Sequence, residues 1–259
     1  MSGREIPYDF GTDDRITAKR LLEAAGSCYN RNIPVATDFL DLASQEIFRT
    51  ITDLLPPVCH TAMGGYDLAE RKLIYFSPNE DYQYDVPYDV IQIAPINAKF
   101  AEKLTHRDYL GAIMGLSIAR EKFGDVILKD ENAYVFCLKS VSGYLIENLT
   151  QVRHTMVNVC ISDEIDRTYE PEYKEITGTV ASVRLDSVIS LGFGLSRNHA
   201  IPFIEGGKTA VNGKIITTNA YVLHDNDVVS VRALGKMRFI RSTSETRKGR
   251  IVIVIHRYQ

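Results

Sequence analysis

A chain of 259 residues with 45% hydrophobic and 24% charged residues has the composition of a soluble globular protein with room for two or three domains. It holds no apolar run long enough to span a bilayer, and its opening MSGREIPYDFGTDD has no basic stretch followed by an apolar one, so no membrane span or secretory leader, and a cytoplasmic location, are expected. The net charge of −3 is unevenly spread: residues 178–259 carry twelve Lys and Arg against five acids, a net of +7, which leaves −10 on residues 1–177. Such a split points to one part that meets a polyanion and another that does not, because attraction to phosphates is collected over about one Debye length.

In chain order, residues 1–80 read as a helical region. Thr12 can cap a helix with Ile16, Leu21, Leu22 and Ala25 on its apolar stripe. Thr37 or Asp38 can cap a second, with Phe39, Leu42, Ile47, Phe48, Ile51, Leu54 and Leu55, ended by Pro56 and Pro57. Leu73 to Phe76 read as a strand after the Gly64–Gly65 turn.

Residues 81–168 have a clearer order. VIQIAP (90–95) is a strand, HRDYLGAIMGLSIARE (106–121) a helix and DVILKDENAYVFCLK (125–139) a hairpin. SGYLIENL (142–149) is a helix and TMVNVCIS (155–162) a closing strand. This βαββαβ order is the ferredoxin-like or RRM-like arrangement, shared by the common single-strand RNA-binding fold and by many proteins that never touch RNA. Tyr134 and Phe136 alternate on the third strand, so they face one side, where they either stack on bases or pack against protein.

Residues 178–259 read as a small αα-β unit, which makes the chain α+β overall. Leu185, Val188 and Ile189 recur at helical spacing before Gly192 and Gly194 break the helix. Ser196 caps a second helix, RNHAIPFIE, ended by Gly206 and Gly207. A hairpin turns at Asn212–Gly213, and DVVSVRAL (227–234) supplies a strand, with STSETRKG expected as a loop. Arg184 falls on the first helix, Arg197, Asn198 and His199 at the start of the second, and Lys208, Thr209, Asn212 and Lys214 on the hairpin. With Lys236 and Arg238 they form the expected RNA surface, whose phosphate-facing centre is Arg184, Arg197 and Lys214. Pro202 is out of place inside a helix, and a neutral His199 weakens attraction to phosphate.

Catalytic readings are weaker. His106-Arg107-Asp108 spells a kinase catalytic triplet, but Ile113 stands where the metal-binding Asn belongs. Gly192-x-Gly194 lacks the third glycine of a nucleotide loop, and six histidines and four separated cysteines (Cys28, Cys59, Cys137, Cys160) show no zinc spacing. No catalytic residue, metal or cofactor is expected. The alternatives are an RNA-modifying enzyme of pseudouridine-synthase type, and an adaptor that meets a protein partner through the acidic N-terminal two-thirds.

The run RLDSVISLGFGLSRNHAIPFIEGGKTAVNGKIITTNAYVLHDNDVVSV resembles the S-four-type RNA-binding domain named after a small-subunit ribosomal protein. GGYDLAERKLIYFSP (64–78) and LTHRDYLGAIMGLSIAREKFGDVIL (104–128) resemble the bacterial YlmH family, which joins an N-terminal region, an RNA-binding-like middle domain and this C-terminal domain. The resemblance implies binding to ribosomal RNA or tRNA on the large ribosomal subunit, in the rescue of stalled ribosomes.

Overall fold

A computed structural model describes residues 6–7, 10–82, 85–165 and 168–258. The chain divides into two compact units, residues 1–170 and 171–259.

In the first unit, helix α1 (Thr12–Arg31) leads to the short strand β1 (Val35–Ala36) and helix α2 (Leu42–Ile51). Strands β2 (Cys59–Met63) and β3 (Leu73–Ser77) complete an antiparallel sheet ordered β1-β3-β2. The N-terminal region thus holds the strand expected at Leu73 to Phe76 and two further strands that its sequence does not signal. Gly11, not Thr12, is the N-cap of α1, and Ile16 is exposed while Ala18, Leu21, Ala25 and Cys28 form the buried stripe. Asp41 caps α2 by accepting the Ser44 N–H at 2.8 Å, which leaves Phe39 outside the helix in an extended segment that bridges Leu40 to Lys72.

Strand β4 (Tyr88–Pro95), helix α3 (His106–Gly115), strands β5 (Phe123–Lys129) and β6 (Asn132–Leu138), helix α4 (Lys139–Asn148) and strands β7 (Gln151–Val152) and β8 (Thr155–Ile161) follow. The sheet order β5-β6-β4-β8-β7 matches the expected βαββαβ arrangement, with β7 as a short addition. Helix α3 ends earlier than its sequence pattern, because Ser117 takes φ 60° and a 3-10 turn over Arg120–Lys122 carries the chain into β5.

Alternation along the strands explains how the layers stack. Ala133, Val135 and Cys137 of β6 pack with Tyr109, Ile113 and Leu145 of the helices on one face of the five-stranded sheet. Tyr134 and Phe136 pack on the other face with Phe39, Tyr66, Leu73 and Tyr75. Ile74 and Phe76 of β3 point the opposite way, into α1 and α2. Four layers result, helices, sheet, sheet, helices, and β3 is buried on both sides, as its unbroken apolar run LIYF requires.

The second unit is a larger sheet than the sequence suggests. Strand β9 (Tyr173–Val180) precedes helices α5 (Leu185–Phe193) and α6 (Arg197–Glu205). Strands β10 (Thr209–Val211), β11 (Lys214–Ile215), β12 (Val228–Val231), β13 (Gly235–Glu245) and β14 (Ile251–Tyr258) complete an antiparallel sheet ordered β11-β10-β12-β13-β14-β9. A boundary at 178 would cut β9 in two, since all its residues from Tyr173 to Val180 pair with β14. The expected STSETRKG loop is instead the end of the β13–β14 hairpin, where Glu245 pairs with Ile251 and Arg250 donates to the Thr179 carbonyl at 2.6 Å. Helices α5 and α6 cover one face, with Val188, Ile189, Ala200 and Ile204 against Val229, Met237, Phe239, Ile253 and Ile255.

Candidate nucleic-acid interface

The basic residues of the second unit are placed by how α5 and α6 start. The segment before α5 is stitched to residues 221–223: Leu185 N–H donates to Tyr221 at 2.8 Å and Leu223 N–H to Val183 at 3.1 Å. Arg184 is thereby fixed as the N-cap of α5. Gly194, at φ 67°, ends α5 in the left-handed conformation, and Ser196 caps α6 by accepting the His199 N–H. Gly192 is not a breaker. It lies inside α5, where a Cβ would stand 2.3 Å from Met237 Sδ, so it lets the helix approach the sheet.

Asp186 joins the two helix starts. Its carboxylate is almost wholly buried and accepts Arg197 Nη2 at 2.5 Å, Arg184 Nη2 at 3.4 Å and the Ser187 N–H at 2.8 Å. The Arg184 and Arg197 side chains remain 38% and 51% exposed, although Arg184 Nε itself is buried. Burial alone would raise the carboxyl pKa, but the Arg197 hydrogen bond and the charges of Arg197 and Arg184 hold it below its ordinary value. One buried negative charge thus orients two positive groups toward solvent and leaves a surplus of one. Asn198 and His199 are exposed on the same first turn of α6. Fixed guanidinium forks beside exposed helix-start side chains form an arrangement suited to phosphate oxygens.

Two family models match the chain: one described as "Putative RNA-binding domain in YlmH" over residues 79–165, and the S4 domain over residues 183–229. Ribosome-associated protein quality control protein P2 of Bacillus subtilis is 27% identical over 98% of both chains. The chain thus carries a segment that matches the YlmH RNA-binding domain model and one that matches the S4 domain, in that order. Its C-terminal part is also similar to the small ribosomal subunit protein uS4 of Thermotoga maritima, 33% identical over 29% of this chain and 36% of that protein. A solved chain, the cell division protein ylmH from Streptococcus pneumoniae, is 19% identical with a TM-score of 0.49, over 62% of this chain and all of that one.

The remaining residues expected on the RNA surface lie on different elements of the second unit. Lys208 and Lys214 are exposed beyond the C-terminal end of α6, where Ile215 lies near Gly207. They stand roughly 13 Å along the helix from Arg197, given 1.5 Å of rise per residue. Contact therefore joins Arg184 and Arg197 but does not bring Lys214 to them. Thr209 is buried, and Asn212 spends its side chain inside the fold, donating to Asp227 at 2.7 Å and accepting the Val228 N–H at 2.9 Å. Lys236 and Arg238 alternate with the core residues Met237 and Phe239, so they lie on the sheet face away from the helices.

Tyr134 and Phe136 cannot stack on bases, because they are 1% and 0% exposed. Tyr66 stacks on Phe136 with ring centroids 5.8 Å apart, and Tyr88 meets it edge-on. The RRM-like sheet face is thus covered by the N-terminal layer, which the period-two pattern of β6 could not reveal. Among the described residues, no group of three or more His, Cys, Asp and Glu is placed to hold a metal ion. No described helix is long and apolar enough to cross a membrane.

Proposed function

We propose that this protein is a noncatalytic, cytoplasmic RNA-binding protein that grips structured RNA, ribosomal RNA or tRNA, on the large ribosomal subunit, and serves in the rescue of stalled ribosomes. The observation that carries the reading is the Arg184–Asp186–Arg197 bridge, a buried carboxylate that holds a half-exposed and a partly buried arginine side chain within a basic S4 domain. Phosphate recognition gains from such preorganisation, because the side-chain ordering cost is met in the free protein. The full-length similarity to a protein named for ribosome-associated quality control supports the cellular setting.

Co-sedimentation of the full chain with purified large ribosomal subunits, followed by crosslink mapping, tests the reading. Crosslinks from the starts of α5 and α6 to ribosomal RNA or tRNA are expected. Failure to co-sediment overturns the proposal, and a change of nucleoside mass in total RNA incubated with the protein would replace it with an RNA-modifying activity.

A further inference from the structure

We propose that the first unit carries a second RNA contact, displaced from the sheet face to the end of the sheet where β4 leaves and β8 begins, and that it holds an unpaired nucleotide together with its flanking phosphates. The inference rests on the RNA-binding reading above.

In the common single-strand RNA-binding fold, bases stack on aromatic side chains of the open sheet face. Here that face is packed against Phe39, Tyr66 and Tyr75, and the other is covered by α3 and α4. Only the ends and edges of the sheet remain for RNA.

One end has the composition that nucleotides require. Ile96 N–H donates to the Met156 carbonyl at 3.0 Å, which sets two apolar side chains side by side although they are 66% and 51% exposed. The segment after Ile96 is tied to the β7–β8 turn, where His154 N–H donates to Glu102 at 2.9 Å and Arg153 reaches Asp108 at 3.4 Å and Glu102 at 3.9 Å. The two local acids both lie against Arg153, and Asp108 also accepts from Thr105 and feels the charge of its neighbour Arg107, so three basic side chains face two acids. Lys103 and Arg107 are exposed and make no ion pair among the described residues. In a part of the chain whose net charge is −10, this is a local cationic surplus around an exposed apolar pair. An unstacked base can lie on Ile96 and Met156 while its phosphates meet Lys103 and Arg107, the combination used by proteins that set apolar wedges against bases. Asp130 and Glu131, at the β5–β6 turn two strands away, confine the surface to the β4–β8 side.

The test titrates the full chain with deproteinised ribosomal RNA from large subunits over a range of salt concentrations. Lys103→Glu with Arg107→Glu is expected to weaken binding about tenfold and to make the slope of log K against log salt shallower by about 1.5, the value for two lost contacts. Met156→Ser is expected to weaken binding about threefold with the slope unchanged, as for a base contact. Lys19→Glu with Lys139→Glu makes the same change of charge elsewhere in the unit and is expected to cost less than twofold. Equal losses from the two charge-reversed pairs, or unchanged affinity of either Lys103/Arg107 or Met156 variants beside a wild type that binds, overturn the second contact and leave the C-terminal site standing. A wild-type chain that does not bind this RNA overturns both readings. Thermal unfolding at the wild-type midpoint for every variant assigns the losses to binding.

Discussion

Asp186 Oδ2 and Arg197 Nη2 lie 2.5 Å apart, with the acid buried and the base half in solvent. The pair makes α5 and α6 one rigid support and decides where the Arg197 fork points. Asp186→Ala is expected to cost about 1–3 kcal/mol, the range for a lost hydrogen bond to a charged group, and to lower RNA affinity although it makes the site more positive. Thermal unfolding and RNA titration of the same sample check this. Tighter binding by the variant would show that charge alone, without orientation, drives recognition.

The same carboxyl makes stability depend on acid. Its folded pKa is depressed below the ordinary 3.8, so the unfolded chain takes up this proton at higher pH than the folded one does. The contribution of the bridge is present in full above about pH 4 and is lost as pH falls through the depressed value. Asp186→Asn should therefore be less stable than wild type at pH 7, with the gap closing as pH falls below about 4. Urea midpoints of both proteins between pH 7 and pH 3 read this directly; a gap that stays constant contradicts it.

Asp125 holds the N-terminal layer to the middle sheet. Its carboxylate accepts the Tyr66 hydroxyl at 2.8 Å, the Glu70 N–H at 2.7 Å and the Arg71 N–H at 3.1 Å, while Arg71 donates to the Phe39 and Phe123 carbonyls. Burial and the nearby carboxylate push the Tyr66 phenol far above its usual pKa, so it stays protonated as a donor. Asp125→Ala strands three donors at once and should destabilise the first unit by about 2–4 kcal/mol. Chemical denaturation of the full chain should show an earlier transition, with RNA binding at the α5–α6 site unchanged below it.

Two helix glycines make opposite forecasts. Gly192→Ala brings a Cβ within 2.3 Å of Met237 Sδ, and the overpacking cost of about 1–3 kcal/mol outweighs the roughly 1 kcal/mol gain in helix propensity. Gly111→Ala, inside α3 with nothing within 4 Å of its Cβ, keeps only the gain and should stabilise by about 0.5–1 kcal/mol. Unfolding midpoints that move the same way for both would refute the packing role of Gly192.

Short-range signals were legible in the sequence and long-range pairings were not. The Asn212–Gly213 turn, with both residues at positive φ, the Ser196 cap and the βαββαβ order all follow from neighbouring residues. Strand β9 pairs with β14 more than seventy positions later, and only the fold brings Arg153 to Asp108 or Asp125 to Tyr66. At the site, Arg184 and Arg197 were identifiable from charge and helix starts, but the burial of Thr209 and the internal use of Asn212 depend on the strand and loop packed beside them. The burial of Tyr134 depends on Phe39 and Tyr66, which belong to a layer the middle domain does not encode.

The distinction between an oriented fork and a simple charge is tested by two substitutions at opposite ends of α6. Arg197→Lys keeps the net charge but replaces a planar fork, braced by Asp186, with a point charge that cannot bind Asp186 and a phosphate in the same geometry. Lys214→Gln removes one exposed charge from β11, where no hydrogen bond or ion pair among the described residues fixes its direction. If orientation matters at the arginine pair, Arg197→Lys should lose about tenfold in RNA affinity, equivalent to about 1.4 kcal/mol, with the salt dependence nearly unchanged. Lys214→Gln should lose less at moderate salt, while its slope of log K against log salt becomes shallower by about 0.7–0.9, the signature of one phosphate contact. Salt-series titrations separate the two effects, because geometry shifts the line and charge tilts it. A tilt without a shift for Arg197→Lys would make the bridge to Asp186 a matter of stability alone and move the recognition site elsewhere on the S4 domain.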